Sequence, residues 1–514
     1  MKDQQAARSH RFSHFFVLLP LLPILINFLH SANLFNEFIF IRPVLWLYLI
    51  YTGLAITIYL LLHKVFRFSS RQAAVAGSLI ILFFMLGGSI EGYLIKQKAF
   101  SFFGKWIVLF GIGLVLLGSM AIYYKKRNPP AVIISQYLLS LFAIIILYEG
   151  IKFAWAVYNG RTLFAVVRKM TKPVLDNRNI ALAETPDIHY IIFDSYTNGR
   201  ALKKYWNYDN PIYSYLSGKG FYTVDSAISN YNMTSFSLGS VFNLQYLETA
   251  DYYLERNNDN WYLGLGVYQH NQLFRFLKAH NYQLNIFSLL EDTRQVAGLG
   301  NFAPDEPATW LRKQTLEKFF LDPWVSNKFK QVFTGKNNLP DPVVRSLQFY
   351  ADFNRKAIEH IHSLCEQNSK PGTAPVFSFT HFVIPHSPYV FDESGSTNFS
   401  SAPPASDMQG YLNQIKYANT LIREITECFL KDSTRKKVII LQGDHGYREY
   451  PRSYQKDEYE ALSALYFYNK DYTGLNKNLS HVNTFRVLFN NVFHDSLPLL
   501  KDSIVLWKRK SLNP

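Results

Sequence analysis

Five short stretches hold the side chains best suited to chemistry. In Ile191-Ile192-Phe193-Asp194 a carboxylate emerges directly from an apolar run. In Val438-Ile439-Ile440-Leu441-Gln442-Gly443-Asp444-His445-Gly446 a second apolar run passes through a glycine into adjacent Asp and His. Carboxylate and imidazole together suit zinc or manganese, although Asp-His-Gly also suits a plain turn. Thr234 opens a helix-like segment after the polar run Ser229-Asn230-Tyr231-Asn232. A hydroxyl there faces the positive end of a helix dipole, a place for an attacking oxygen that meets an anion. An ordinary Ser or Thr cap reads the same way. His386 lies in His381-Phe382-Val383-Ile384-Pro385-His386-Ser387-Pro388-Tyr389, a loop stiffened by two prolines. It suits phosphate contact or leaving-group protonation. His481 is a weaker candidate of the same type.

These residues need a scaffold. Residues 189–194, 220–224, 284–288, 376–382, 438–442 and 464–468 read as strands. Residues 269–280, 346–365 and 408–430 read as helices. Strands alternating with helices predict an α/β domain with a central, mostly parallel sheet between helices. Such sheets place ligands beyond the carboxyl ends of their strands, where Asp194 and Asp444 fall. Residues 291–345 are the least regular stretch and read as a substrate-facing lid or as surface structure.

The N-terminal third is different in kind. Five apolar runs, at 15–28, 44–62, 73–90, 106–124 and 131–148, predict a transmembrane helical bundle. About 18–20 apolar residues at 1.5 Å rise cross ~30 Å of hydrocarbon. The first run is the shortest, carries Pro20 and Pro23, and also has the basic start of a signal peptide. The predicted organisation is a transmembrane domain at 1–158, a juxtamembrane connector at 159–185 and a catalytic domain at 186–514. In the connector, residues 161–172 suit a helix lying on the membrane surface, ended by Pro173, or a solvated linker.

With the N-terminus cytoplasmic, the inside segments hold nine Lys and Arg and the outside loops four. That bias places the large domain outside the cytoplasm of a multi-pass plasma or inner membrane protein. Of the +15 net charge, +10 lies in residues 1–158, so topology and anionic headgroups account for most of it and a nucleic-acid partner is a poor reading. Two cysteines, Cys365 and Cys428, lack metal-finger spacing; an extracytoplasmic domain could pair them, but sequence does not give their separation.

Taken in order, Asp194, Thr234, His386-Ser387-Pro388-Tyr389 and Asp444-His445-Gly446 resemble the alkaline phosphatase superfamily. The closer resemblance is to its membrane-anchored, sulfatase-like branch, which includes lipoteichoic acid synthases and lipid A phosphoethanolamine transferases, and it spans residues 186–495. The resemblance implies one divalent metal, zinc or manganese, on Asp194, Thr234, Asp444 and His445. It implies Thr234 as a nucleophile that forms a phospho-Thr intermediate, with His386 on the phosphate or the leaving group. Arg448, just past the Asp-His pair, could hold a phosphate oxygen. Members of both groups carry five N-terminal transmembrane helices, in line with the count above.

Departures narrow the expectation. Thr234-Ser235-Phe236-Ser237-Leu238 lacks the Pro and Arg of the formylglycine signature of true sulfatases, which disfavours sulfate-ester hydrolysis. Phe382 stands four before His386, so the Asp-x-x-x-His set of two-metal members is not evident. The cysteine-rich pattern of lipid A phosphoethanolamine transferases is missing. The leading expectation is a phosphotransferase that moves a phospho-alcohol headgroup from a phospholipid donor to a glycan or lipid acceptor of the cell envelope. The alternatives are a phosphate mono- or diester (or sulfate ester) hydrolase, and a non-catalytic sensor or scaffold.

Overall fold

The computed structural model describes residues 15–35, 42–96, 131–159, 163–175, 184–247, 259–290, 342–367, 374–397, 404–432, 434–450 and 452–505, with scattered positions between, among them 311, 312 and 314–317. The chain divides into two compact units: residues 1–166 with 304–339, and residues 167–303 with 340–514.

The first unit is helical. A 3-10 turn at Phe15–Leu21 leads into α1 (Leu22–Phe35), followed by α2 (Arg42–Leu60), α3 (Ser70–Lys96) and α4 (Ala131–Tyr158). Among the described residues, four stretches, Phe16–Asn33, Val44–Val65, Ser70–Leu94 and Ala131–Tyr158, are long and apolar enough to cross a membrane. The predicted run at 106–124 falls largely outside the described residues. Pro20 sits in the 3-10 turn and Pro23 in the first turn of α1, where a missing N–H costs no helical hydrogen bond. Glu149 of α4 is bonded by His30 at 3.1 Å and by Asn33 at 2.6 Å, both on α1. An intramembrane acid needs such partners. Residues 311–317 pack into this unit. Leu311 is buried with Ile24, Tyr48, Tyr51, Ile81 and Met85. The Leu316 N–H donates to the Phe84 carbonyl at 2.8 Å, and Tyr51 donates to Glu317 at 2.8 Å.

The second unit is a three-layer α/β domain. Its six-stranded sheet has the order β2-β6-β5-β1-β4-β3, from β1 (Asp187–Phe193), β2 (Tyr222–Val224), β3 (Gln283–Phe287), β4 (Val376–Phe382), β5 (Lys437–Gln442) and β6 (Ser463–Phe467). Strands β5, β1, β4 and β3 run parallel, and β6 and β2 form an antiparallel edge. Side chains alternate between the two faces of β1. Ile191 and Phe193 enter one core; Ile188, Tyr190 and Ile192 enter the other. Burial on both faces is why β1 reads as a continuous apolar run.

The connector forms α5 (Leu163–Met170), with Val166, Val167 and Met170 buried. One core is closed by α7 (Pro342–Gln367) and α8 (Met408–Lys431), the other by α6 (Thr234–Asn243) and α9 (Thr484–Val492). A Cys365–Cys428 disulfide joins α7 to α8, with Cα atoms 6.1 Å apart. The predicted helix at 269–280 is interrupted at Asn271, whose side chain caps a new helix by accepting from the Phe274 N–H at 2.8 Å.

Candidate active site

Three adjacent strands end together. Because β1 lies between β4 and β5, the ends of all three deliver side chains to one edge of the sheet. β1 delivers Asp194, whose N–H extends the ladder to the Phe382 carbonyl at 2.9 Å. β5 delivers Asp444 and His445 through Gly443. A Cβ on Gly443 would stand 2.4 Å from the Tyr196 carbonyl oxygen, and one on Gly446 2.2 Å from that of Glu460. Both glycines therefore let backbones close on the turn that aims the Asp-His pair.

Asp194, Asp444 and His445 are buried and present ligand atoms all within 4.8 Å of one another. His445 Nε2 lies 3.3 Å from Asp444 Oδ2 and 3.6 Å from Asp194 Oδ1. Its Nδ1 donates to the Gly446 carbonyl at 2.8 Å, so Nε2 carries a lone pair. Asp194 Oδ1, Asp444 Oδ2 and His445 Nε2 are buried without hydrogen-bond partners. Three electron-rich atoms facing one another fit a metal cation, which would satisfy all three.

Electrostatics agree with this crowding. Burial, then the Asp194 charge, pushes the Asp444 carboxyl up to about 6. Burial also works against charge on Asp194, but His386, His381 and His445 around it hold its carboxyl well below the usual carboxylate range. Burial keeps His445 well below the ordinary imidazole value.

Thr234 is the first residue of α6 and is half-buried. That hydroxyl approaches the Asp444 carboxylate and steadies its charge. One turn on, Ser237 Oγ donates to the Asp444 carbonyl at 2.5 Å and ties the helix start to the metal-ligand turn. His386 follows a cis Ile384–Pro385 bond and precedes a cis Ser387–Pro388 bond. Its Nδ1 donates to the Ser387 carbonyl, and its Nε2 accepts from Arg448 Nη2 at 2.7 Å. Arg448 Nη1 also donates to the Asn232 carbonyl at 3.4 Å. Thus Asp194, Thr234, His386, Arg448, Asp444 and His445 converge. His481 stands apart: it is buried, its N–H donates to the Ile228 carbonyl, and no hydrogen bond among the described residues joins it to this group.

Two neighbours were not foreseen. His381, inside β4, is buried with Nε2 at 3.4 Å from Asp194 Oδ2 and Nδ1 at 3.2 Å from Ser288 Oγ. Ser195 adopts a left-handed backbone (φ 64°). It donates its N–H to Asp444 Oδ1 at 2.9 Å and sets its Oγ 3.3 Å from His445 Nδ1. For a non-glycine residue that conformation is costly and recurs at functional sites. The one available signal for both was adjacency to the ends of predicted strands.

A fold of parallel strands delivering this acid, hydroxyl and imidazole set defines a class, the sulfatase-like enzymes. The family model for sulfatase matches residues 186–487, and the chain belongs to that family. No curated protein matches it. Solved structures that it is similar to include three at low identity. The C-terminal periplasmic domain of EcEptC from Escherichia coli, in complex with Zn, is 12% identical, with 61% of this chain and 85% of that chain covered and a TM-score of 0.37. The integral membrane lipooligosaccharide phosphoethanolamine transferase A (EptA) from Neisseria meningitidis is 12% identical, with 93% and 95% covered and a TM-score of 0.32. A putative sulfatase from Bacteroides thetaiotaomicron is 10% identical, with 63% and 74% covered and a TM-score of 0.37.

Proposed function

We propose that the protein is a metal-dependent, membrane-bound phosphotransferase that moves a phospho-alcohol headgroup from a lipid donor to a cell-envelope acceptor. The observation that carries this reading is Thr234, half-buried at the start of α6 with its hydroxyl against Asp444, beside three buried ligand atoms without partners. Asp194, Thr234, Asp444 and His445 would hold one divalent cation, which would lower the hydroxyl's pKa and offset charge at phosphorus. Thr234 Oγ1 loses its proton to solvent and forms the bond to phosphorus while the bond from phosphorus to the lipid oxygen breaks. The leaving oxygen takes a proton from a water molecule at the His386 side of the site. The acceptor oxygen then attacks phosphorus and loses its proton to solvent, the bond from phosphorus to Oγ1 breaks, and Thr234 takes a proton back. Arg448, already paired with His386, is placed to hold a phosphate oxygen.

The anchor supports a lipid donor, since membrane-length helices in the same chain tether the enzyme to the bilayer that holds such a substrate. Three features support an extracytoplasmic domain. Basic residues favour the opposite loops. The Cys365–Cys428 disulfide suits an oxidising compartment. Residues 311–317, which lie within the family-matched span, meet Tyr51 of α2 and Phe84 of α3, in the halves of those helices that the charge bias places outside.

The test is to incubate the purified protein with a fluorescent phospholipid, a divalent metal and an acceptor, and to weigh the intact protein. Headgroup loss with a mass adduct on Thr234 is expected. Thr234→Ala should lower turnover by more than about a thousandfold, and a variant as active as the parent would sink the mechanism. Hydrolysis is the second reading, since the half-buried Thr234 is not sealed from water. Full-rate release to water without acceptor would select it.

A further inference from the structure

Four residues before Thr234, Asn230 is buried, with its side chain and its carbonyl both engaged. Its Oδ1 accepts from the Val482 N–H at 2.7 Å. Its Nδ2 donates to the Tyr246 hydroxyl at 3.0 Å and to the Ser503 carbonyl at 2.8 Å. Its carbonyl accepts from the Val505 N–H at 2.9 Å. The preceding residue, Ser229, donates its N–H to the Tyr459 carbonyl at 2.7 Å, and the Tyr459 hydroxyl donates to the Val505 carbonyl at 2.8 Å. Residues 498–505 run past this loop as irregular backbone and are held along their length. Arg486 donates to the Pro498 carbonyl at 2.6 Å, and Asn483 exchanges bonds of 2.8 and 2.9 Å with the Leu500 backbone. Asp502 Oδ1 accepts from the Ser480 N–H and Oγ, each at 2.9 Å. The Tyr246 hydroxyl accepts from the Ser503 N–H at 2.9 Å and donates to the Lys501 carbonyl at 2.8 Å. Irregular surface backbone ordinarily gives its polar groups to water. Here they go to the loop that leads to Thr234. Hydrogen bonds are directional where apolar contact is not, so this strap fixes the place of Asn230 as well as covering it.

We infer that Asn230 is a positioning residue for Thr234, and that the strap at 498–505 holds it in place. The inference rests on the reading of Thr234 as the nucleophile. Residues 230–233 lead straight into the first turn of α6, so a shift at Asn230 is passed along them to the Thr234 hydroxyl. Ser237 ties the helix start to the Asp444 carbonyl from one side. The strap restrains the same helix start from the loop side. An attacking oxygen must keep its line to phosphorus, and a misplacement of about 1 Å can cost about a hundredfold in rate. Asp194, Asp444 and His445 are delivered by β1 and β5, away from these bonds. Loosening the strap should therefore slow the chemical step and leave the metal in place.

The test compares two substitutions at one position in the full-length, metal-loaded protein. Val505→Pro deletes the N–H that the Asn230 carbonyl accepts, whereas Val505→Ala keeps it. Val505→Pro should lower kcat by about ten- to a hundredfold, with KM within about twofold of the parent and metal content unchanged, and Val505→Ala should match the parent. Tyr246→Phe, which removes the bonds to Lys501 and Ser503, should act in the same direction. Amide hydrogen exchange is the second readout. Residues 230–237 should exchange faster in Val505→Pro while β1 and β5 keep the protection of the parent. A Val505→Pro protein as fast as Val505→Ala, or faster exchange spread evenly over the strands, overturns the assignment and leaves the strap a general stabiliser. No adduct on Thr234 in the parent, with exchange still raised only at 230–237 in Val505→Pro, sinks the nucleophile and spares the hold of the strap on its loop.

Discussion

Asp194 and Asp444 share one buried pocket, yet their carboxyls are driven in opposite directions. Asp444 is pushed up by burial and by its neighbour's charge, whereas Asp194 is held down by the imidazoles around it. A cation between them would let both stay ionised. Metal present at about a hundred times its Kd should stabilise the protein by about 2.7 kcal/mol. Thermal unfolding with and without chelator measures this, and a metal shift surviving in Asp444→Asn would refute the ligand assignment. His381→Ala should weaken metal binding roughly 10–100-fold, because that ring meets Asp194 from behind; calorimetric titration decides it. Asp194, Asp444 and His445 were legible because each ends an apolar run. His381 was not, since inside a strand it alternates like any core residue and its partner Ser288 is 93 positions away. The backbone of Ser195 was equally hidden, as nothing in the residue type announces a positive φ.

The elements hold the site in place through two cores. Strands and long helices were legible from their periods, and α8 begins at Met408 as expected. The pairing of Cys365 with Cys428 was not, because it depends on α7 and α8 lying together on one face of the sheet. The disulfide spans 63 residues. Loop-closure entropy gives such a bridge roughly 4 kcal/mol, so Cys365→Ser with Cys428→Ser should lower the denaturant midpoint accordingly. A midpoint equal to that of the parent would show the bridge to be idle.

His189 of β1 supplies a pH dependence. It stacks on Phe429 of α8 at 3.9 Å and is fully buried. Burial, then the Lys437 and Arg435 charges, pushes it down to about 3 from the ordinary 6.5. The unfolded chain therefore binds a proton that the folded one refuses. Its stability is intact above about pH 6.5 and is lost as pH falls toward 3, by up to about 1.4 kcal/mol per pH unit. His189→Gln should flatten the slope of thermal stability between pH 6 and 4, and an equal slope would assign the acid sensitivity elsewhere.

At the scale of the whole molecule, the apolar runs announced a helical unit and the alternating pattern announced an α/β unit. That residues 304–339 group with the helices was hidden, because Leu311 and Leu316 sit in a stretch without helical or strand period. The chain therefore passes between its two units three times, near residues 166, 303 and 339.

Those repeated crossings bear on shedding from the cell surface. A domain on a single stalk is released by one proteolytic cut. Here a cut within 159–185 leaves Leu311 buried among the helices, with the Leu316–Phe84 and Tyr51–Glu317 hydrogen bonds beside it. A site-specific protease sequence inserted at 159–162 should accordingly nick the chain yet leave both fragments in the membrane pellet under native conditions. Recovery of the C-terminal fragment in the supernatant would show that the contacts of Leu311, Leu316 and Glu317 do not hold it.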